Sequence, residues 1–554
     1  MSRKKPDKKN RKRRPPVLPG GELNLEEVAA IVERARTAVL SEEEHAKLKS
    51  AMDRLAFFTE ELKSRQTSME RLRRLLFGAG TERTRTVLGE ARSEAMLPET
   101  NATEGSGSPR PGHGRNGAAA FTGADIVRIS HPGLQGGQAC PGCTKGHVYA
   151  MAEASVRVRI TGMAPLGATV YECGRLRCNL CGEVYTAPAP EGVGDKKYDE
   201  TASAMVGLLK YGTGLPFNRI EKLQQALRIP LPAATQWDLV RDAAESLTLA
   251  HETLIDRAAQ GNVLHNDDTT MKVLKLTREQ RAAALADDAE QARTGVFTSG
   301  IVAAGEGRKI ALFFTGVRHA GENLDEVLKR RAAELPVPIQ MCDALSSNTD
   351  GEFETLLAHC LSHSRRKYVE VAERFPEEVR FVLQTLREVY KTDAEARREG
   401  LDPETRLQRH KTESGPRMEA LAKWMQRQFD ERLVEPNSPL GEAIQYMQKH
   451  YAELTLFLRA PGAPLDNNLC ERALKKAILH RKNALFYRTL SGARVGDIFM
   501  SLIHTAELNG VAPFDYLVAL LRHADQVRAN PQEWMPWNYV STLAHSAAST
   551  GPPG

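Results

Sequence analysis

Long apolar runs are absent from the 554-residue chain, and none approaches the ~18–20 residues that a membrane-spanning helix requires. The N-terminus also lacks the apolar segment of a secretory signal peptide. Only 8 cysteines are present, too few to suggest a secreted disulfide scaffold at this length. We therefore expect a cytoplasmic protein. With 41% hydrophobic and 26% charged residues the chain can bury several cores, and its length predicts about three or four domains.

Excess positive charge is confined to the N-terminus. The first 14 residues contain nine Lys or Arg and one acid, a local charge of +8, whereas the whole chain carries +6. A basic run of this kind attracts nucleic acid because its cations neutralise phosphates and release counterions. A solvated tail without a specific partner fits the same composition equally well.

A heptad pattern follows the basic tail. Ser41 and Glu44 have the spacing of a capping box, in which each side chain bonds the other residue's backbone N–H at the start of a helix. Apolar residues then recur every seven positions, at Leu48, Leu55, Leu62, Met69 and Leu76. Such a stripe needs an apolar partner surface. The pattern predicts either a self-associating coiled coil or a helix packed on its own chain.

Five of the eight cysteines lie between Cys140 and Cys181. Cys140-Pro-Gly-Cys143 and Cys178-Asn-Leu-Cys181 each place two thiolates on one tight turn, and two such turns complete a tetrahedral Zn²⁺ site. The gap between the pairs exceeds the ~15–20 residues common for this motif, so we expect a bridging hairpin built from SVRVRI and ATVYE. A redox pair or free thiols are the alternatives, and Cys173 could replace one ligand.

The remaining chain alternates between helical and β-like patterns. From Tyr198 to Thr253 prolines interrupt a helical pattern, which predicts short helices that either pack in a core or read DNA as a helix-turn-helix. Four apolar, β-branched runs then predict the strands of a mixed α/β sheet: NVLHND, GVFTSGIVAA, KIALFFTG and IQMCDA. The pattern is helical again from Ser364 to Leu458.

Three carboxylates occupy positions where catalytic acids are expected. Asp267 and Asp343 end two predicted strands, and Glu471 begins a predicted helix. Open α/β sheets bind ligands at the carboxyl ends of their strands. Three converging carboxylates can hold two Mg²⁺ ions, which activate the attacking oxygen and stabilise the leaving oxygen of a phosphodiester. A single Asp at a strand end is more often a turn former or a helix cap, so a structural role stays open on the pattern alone.

The predicted helix that begins near Glu471 is strongly basic. Lys475 lies one turn beyond Glu471 on the same face, if the segment is helical. The cations around this face are Arg472, Lys475, Lys476, His480, Arg481, Lys482, Arg488 and Arg494. A phosphate backbone would be attracted to such a surface, and a solvated basic helix is the alternative.

Together these residues resemble the large transposases of the insertion sequence 66 family, whose acid triad is of the Asp-Asp-Glu type. The most specific match is Asp466-Asn-Asn-Leu-Cys-Glu471. Further matches are the paired cysteines, His265-Asn-Asp-Asp-Thr269, Cys360-Leu-Ser-His363-Ser-Arg-Arg-Lys367 and Pro536-Trp-Asn538. Asp268 departs from the family pattern, where Glu is expected, and Leu276 to Arg293 resembles a charged helical insertion. The resemblance covers nearly the whole chain beyond the basic tail.

This resemblance implies a multidomain α/β protein. Its ribonuclease-H-like catalytic core would contain a helical insertion and follow an N-terminal coiled coil and a zinc-binding unit. The expected organisation is a basic disordered tail (1–21), a coiled coil (22–98), a flexible linker (99–120), a zinc-binding domain (121–190), a helical DNA-binding or packing region (191–258), the core (259–510) with its insertion (350–460), and a C-terminal helical tail (511–554).

The resemblance also implies a reaction. Asp267, Asp343 and Glu471 would hold Mg²⁺ or Mn²⁺ while water cleaves the ends of a mobile element, and the freed 3′-hydroxyl would then attack target DNA. The expected DNA-binding residues are Arg472, Lys475, Lys476, Arg481 and Lys482, and the expected structural zinc ligands are Cys140, Cys143, Cys178 and Cys181.

The implied partners are double-stranded DNA, a second copy of the chain paired through the heptad repeat, and accessory proteins encoded by the same element. No membrane partner is expected, and the place of action would be the bacterial cytoplasm at the nucleoid. The alternatives are a catalytically inactive, transposase-derived DNA-binding regulator and a metal-dependent nuclease that cuts without joining.

Replacing both Leu55 and Leu62 with Lys should leave a monomer, because two buried charges on one stripe prevent the pairing of helices. Sedimentation of the purified full-length protein checks this expectation. A dimer that is unchanged in the double variant would reject the self-associating coiled coil.

Overall fold

The computed structural model of the chain describes residues 164–177, 184–188, 196–276, 295–349 and 351–549, with single positions in 31–49, 135–148 and 190–191. Outside the described residues lie the basic tail, the heptad positions from Leu55 to Leu76, the linker, the predicted SVRVRI strand, the four predicted zinc ligands and all of the predicted insertion except Leu276. The chain divides into two units, residues 1–91 and residues 92–554.

The capping box predicted in the first unit is confirmed. The Ser41 backbone N–H donates to the Glu44 carboxylate at 3.1 Å, and the Glu44 N–H donates back to the Ser41 hydroxyl at 3.3 Å. Each bond satisfies a backbone donor that has no partner inside the helix, so the pair marks a helix start.

A small two-stranded sheet lies in the region predicted to hold zinc. β1 (Arg175–Arg177) pairs antiparallel with β2 (Val184–Thr186). The expectation that ATVYE forms a strand is wrong: residues 168–172 have no strand geometry, and Val170 and Tyr171 are exposed. The residues of ATVYE are exposed, so no face of a strand would be buried there. β1 and β2 instead lie directly before and after the second cysteine pair.

The main sheet contains the four predicted strands and one more. They are β3 (Val263–Thr270), β4 (Phe297–Gly305), β5 (Arg308–Gly316), β6 (Ile339–Cys342) and β7 (Leu356–His359), in the spatial order β5-β4-β3-β6-β7. β3, β4 and β5 are antiparallel neighbours, whereas β6 runs parallel to β3 and β7 runs parallel to β6. β7 was not predicted because its sequence, Leu-Leu-Ala-His, contains no β-branched residue that would favour a strand over a helix.

Helices supply most of the described chain. Before the sheet they are Glu200–Gly207, Phe217–Ala226 and Ala233–Ala259, with a π-helical turn at Leu208–Gly212. Ala320–Leu328 and Ser346–Thr349 lie between strands. The predicted helical stretch after β7 contains Leu361–Val371, Pro376–Arg398, Pro403–Arg409, Gly415–Asp430, Pro439–Lys449 and Tyr451–Leu454. The last part contains Asn468–Ala484, Leu490–Leu508, Pro513–Arg522, Ala524–Ala529 and Tyr539–Ser549.

Helix Leu490–Leu508 covers the outer edge of the sheet. β5 is an edge strand, and the outward N–H groups of alternate residues along it need acceptors. Along this edge the backbone N–H groups donate in turn to side-chain oxygens, at 2.8–3.3 Å: Lys309 to Asn509, Ala311 to Thr505, Phe313 to Ser501 and Thr315 to Asp497. The spacing of the acceptors matches that of the donors, because four residues of a helix rise ~6 Å and two residues of a strand span ~6.6 Å.

None of the helices in the described part of the chain is long and apolar enough to cross a lipid bilayer.

Ser501→Ala should lower the free energy of unfolding by about 1–3 kcal/mol, because the buried Phe313 N–H loses its acceptor at a place water does not reach. Urea unfolding of the full-length protein measures this change. Ser491→Ala, an exposed position on the same helix, is the control and should change stability by less than about 0.5 kcal/mol. Equal effects of the two substitutions would contradict this role of the hydroxyl.

Candidate functional site

Two of the predicted acids lie side by side on neighbouring parallel strands. β3 pairs with β6 from Val263 with Ile339 to His265 with Met341. The same register, continued two residues beyond the last pair, predicts that Asp267 lies beside Asp343, which follows the last residue of β6, and both carboxylates contact the side chain of Asn348. Asp343 thus comes directly after a strand, as predicted. Asp267 lies inside β3 and not at its end, because β3 continues to pair with β4 as far as Thr270.

Asn348 joins the two aspartates. Its side-chain amide donates to the carboxylate of Asp343 and, at 3.4 Å, to that of Asp267. The backbone carbonyl of Asn348 accepts hydrogen bonds from the side-chain amides of Asn266 and Gln340, each at 2.8 Å. These amides are buried. Sequence reasoning missed this network, and its signal in the sequence was polar Gln340 inside the otherwise apolar β6.

The environment of Asp267 disfavours its negative charge. Burial raises its pKa, the charges of Asp343 and Asp268 raise it further, and the net pKa is about 7 even though hydrogen bonds from the Asp268 N–H and from Asn348 act in the opposite direction. A bound cation would offset this excess of negative charge. The pair therefore has the chemistry of a divalent-cation site with oxygen ligands.

Glu471 lies in the first turn of helix Asn468–Ala484, and Asn467 attaches the start of this helix to β3. The Asn467 side chain donates to the Asn266 carbonyl at 3.0 Å, and its oxygen lies 3.1 Å from Nδ1 of His265. Asn467 is fully buried. Asn467, which precedes the helix of Glu471, is thus hydrogen-bonded to His265 and Asn266, the two residues directly before Asp267.

Gly300 lets the same helix approach the sheet closely. It is the β4 partner of Asp267. A Cβ atom at Gly300 would lie 2.9 Å from the side chain of Leu474 and 3.4 Å from Sγ of Cys470, both on helix Asn468–Ala484. Asp267 therefore lies on the face of the sheet that carries the Glu471 helix. Only a residue without a side chain allows this separation.

Glu471 itself is grouped with Cys360 and His363. One ligand atom from each of the three lies within 4.8 Å of the others, and the Glu471 carboxylate is 3.9 Å from Nδ1 of His363. Cys360 accepts a hydrogen bond from the Asn467 N–H at 3.2 Å. The charges of Asp267 and Glu471 both reinforce the effect of burial in raising the pKa of Cys470, so both carboxylates are within electrostatic reach of that thiol.

Asp268 points to the opposite face of the sheet, as the two-residue period of a strand requires. Its carboxylate accepts from the Ser299 hydroxyl at 2.7 Å and from the Ala320 N–H at 3.0 Å, and it lies 2.9 Å from Nδ1 of His319. Asp268 therefore holds the N-terminus of helix Ala320–Leu328, where a negative charge is stabilised. These contacts give Asp268, the position where the family pattern has Glu, a structural role.

The predicted DNA-binding cations fall into two groups. Arg472, Lys475 and Lys482 are exposed. Lys476 is paired with Glu507 at 2.7 Å, and Arg481 donates to the side chains of Thr269 and Thr270 at the end of β3.

His480 does not belong to this positive surface, contrary to the sequence analysis. It is fully buried and stacks on the ring of Tyr487 with centroids 4.4 Å apart. Burial lowers its pKa to about 3, so the imidazole is neutral at physiological pH.

Comparison with known proteins identifies the family of the chain. The family described as "Transposase IS66 family" matches residues 197–495. Three similar proteins come from Sinorhizobium fredii: "Uncharacterized protein y4jD" is 32% identical over 35% of this chain, y4qI 25% over 61%, and y4hP 23% over 86%. The matches cover 38%, 62% and 89% of those proteins, so the chain spans less than two thirds of the first two.

Asp267→Asn should stabilise the chelator-treated protein at pH 8 and have little effect at pH 4. The unfolded Asp releases its proton near pH 4, whereas the folded pKa is about 7, so the native protein loses stability as pH rises from 4 to 7. Asn does not ionise, so the variant does not lose this stability as pH rises. Thermal unfolding at several pH values measures it.

Asp525→Asn, at an exposed carboxylate, is the control for this series. A stabilisation by Asp267→Asn that is the same at pH 4 and pH 8 would contradict the electrostatic origin of the effect.

Proposed function

Because the chain belongs to the Transposase IS66 family, we propose that it binds the ends of a mobile DNA element and catalyses metal-dependent strand cleavage and strand transfer. The observation that carries this proposal is the placement of Asp267 beside Asp343, with the helix of Glu471 attached to the same strand through Asn467. We propose these three acids as the catalytic residues.

The sheet supports a ribonuclease-H-like core. Numbered within the sheet, its strands stand in the order 3-2-1-4-5, with the first three antiparallel and the last two parallel. Helices from Leu361 to Leu454 then separate β7 from the helix of Glu471. This arrangement agrees with a core that contains a helical insertion between its second and third acids.

The donor set fits Mg²⁺ or Mn²⁺. Carboxylate oxygens are the ligands these hard ions prefer, and the raised pKa of Asp267 indicates a site short of positive charge. The chemistry that such ions supply is the activation of an attacking oxygen and the stabilisation of a leaving oxygen.

The protein's own part is to hold the acids in place. Asn348 orients the carboxylate of Asp343 through its amide, and Asn467 holds the start of the Glu471 helix against β3. Nδ1 of His363 lies 3.9 Å from the Glu471 carboxylate, which is beyond hydrogen-bond distance.

The exposed cations next to Glu471 form the proposed DNA surface. Arg472, Lys475 and Lys482 can neutralise phosphates close to the acids, and this contact is sequence-independent and salt-dependent. Lys476 and Arg481 contribute less directly, since their side chains hold Glu507 and the end of β3. They would position the helix that carries Glu471.

The zinc unit and the coiled coil stay predictions from the sequence. β1 and β2 support the first, because their paired residues Arg177 and Val184 flank the segment that carries Cys178 and Cys181. Zinc bound by the four paired cysteines would then hold this unit together. A coiled-coil dimer would bring two element ends into one complex.

Glu471→Gln should lower strand cleavage by more than about 100-fold and leave DNA affinity within about threefold, because the amide keeps the shape of the side chain but loses the charge. The assay incubates full-length protein with DNA carrying the inverted ends that flank its coding sequence, plus Mg²⁺ or Mn²⁺. Glu373→Gln, an exposed position in the insertion, is the matched control and should cut normally.

Each outcome separates one hypothesis from another. Normal cutting by Glu471→Gln would reject the triad. Cleavage without joined products by the native protein would indicate a nuclease, and binding without any product would indicate a regulator or a missing accessory protein. Addition of the neighbouring gene products then distinguishes the last two.

A further inference from the structure

A second group of metal-ligating side chains lies outside the proposed acid site. His359 is the last residue of β7, His450 follows helix Pro439–Lys449, and Glu453 lies in helix Tyr451–Leu454. One ligand atom from each of the three lies within 4.8 Å of the other two. The group therefore joins an edge of the sheet to the inserted helices.

Two members of this group have buried polar atoms without a partner. His359 is only 5% exposed, and neither of its ring nitrogens has a hydrogen-bond partner within the described part of the chain. Oε2 of Glu453 is likewise buried without a partner among the described residues. Buried polar groups are nearly always satisfied in folded proteins, so two unsatisfied groups side by side point to a ligand.

Ring contacts hold the histidines without using their nitrogens. The rings of His359 and His450 meet edge to face with centroids 5.0 Å apart, and Tyr446 packs on His450 at 4.9 Å. These contacts set the orientation of the imidazoles.

We propose that His359, His450 and Glu453 bind one divalent ion of the zinc type. Two imidazole nitrogens and one carboxylate oxygen are a donor set that zinc accepts in tetrahedral geometry, with water in the fourth position. Mg²⁺ and Ca²⁺ prefer oxygen ligands alone, so this site and the all-carboxylate site select different ions.

The ion would attach the helical insertion to the sheet close to the proposed catalytic acids. His359 is the register partner of Cys342, and Asp343 follows Cys342 directly. Helix Tyr451–Leu454 packs against β7. Binding of the ion by the folded protein alone would stabilise this junction and resist its local opening.

The test compares the metal content of full-length native protein with that of His359→Gln and Glu453→Gln. Each protein is dialysed against Zn²⁺, then against metal-free buffer, and its zinc is measured by mass spectrometry. We expect each variant to contain one equivalent less than the native protein. Zinc held by the paired cysteines is common to all samples and cancels in the difference.

His251→Gln is the matched control. His251 is 7% exposed and also has a ring nitrogen without a described partner, but it belongs to no ligand group found among the described residues. Its zinc content should equal that of the native protein. The same content in the native protein and in both ligand variants would overturn the proposal.

A second measurement guards against misfolding. Because a buried substitution could prevent folding, the half-buried His450→Gln is prepared in parallel and its fold is checked by circular dichroism. Zn²⁺ added to chelator-treated protein should raise the unfolding temperature more in the native protein and in His251→Gln than in His450→Gln. An equal rise in all three would overturn the proposal, and neither measurement depends on DNA cleavage.

Discussion

The parallel pairing of β3 with β6 is the interaction on which the candidate site depends. Three register pairs are enough to bring Asp267 and Asp343, which are far apart in the chain, to the same level of the sheet. Burial raises the pKa of Asp267, and the charge of Asp343 raises it further, so holding a charged carboxylate here is costly. Buried amides fix the two aspartates in place, and a cation would offset their charge.

Buried and partly buried polar side chains recur as the means by which distant elements are joined. Asn467 joins the start of one helix to β3, Asn348 joins the short helix after β6 to both aspartates, and Asp268 joins β3 to the helix that begins at Ala320. At the sheet edge, a row of helical side chains accepts the hydrogen bonds that another strand would otherwise accept. Each such bond is directional, so it sets a position more sharply than apolar packing alone can.

The helical insertion carries part of the second ligand group and leads back to the third acid. It begins directly after His359 and returns the chain to Asn467 just before Glu471. Oxygen ligands lie on the β3 and β6 side, and the imidazoles of His359 and His450 lie at β7. Because the inserted helices connect β7 to the helix of Glu471, the position of Glu471 depends on how firmly the insertion is attached to β7. The proposed zinc ion at His359 would supply that restraint.

The sequence by itself determined the local elements and the family. Period, β-branching and residue order located β3 to β6, the capping box at Ser41 and the strand that ends before Asp343, because these features depend on neighbouring residues. Tertiary structure alone decided which cations stay exposed, that His480 is buried and neutral, and that Asn348 joins the two aspartates. Those properties depend on partners that are distant in the chain, as Asp267 is from Asn348, and no local pattern records which partner the fold brings near.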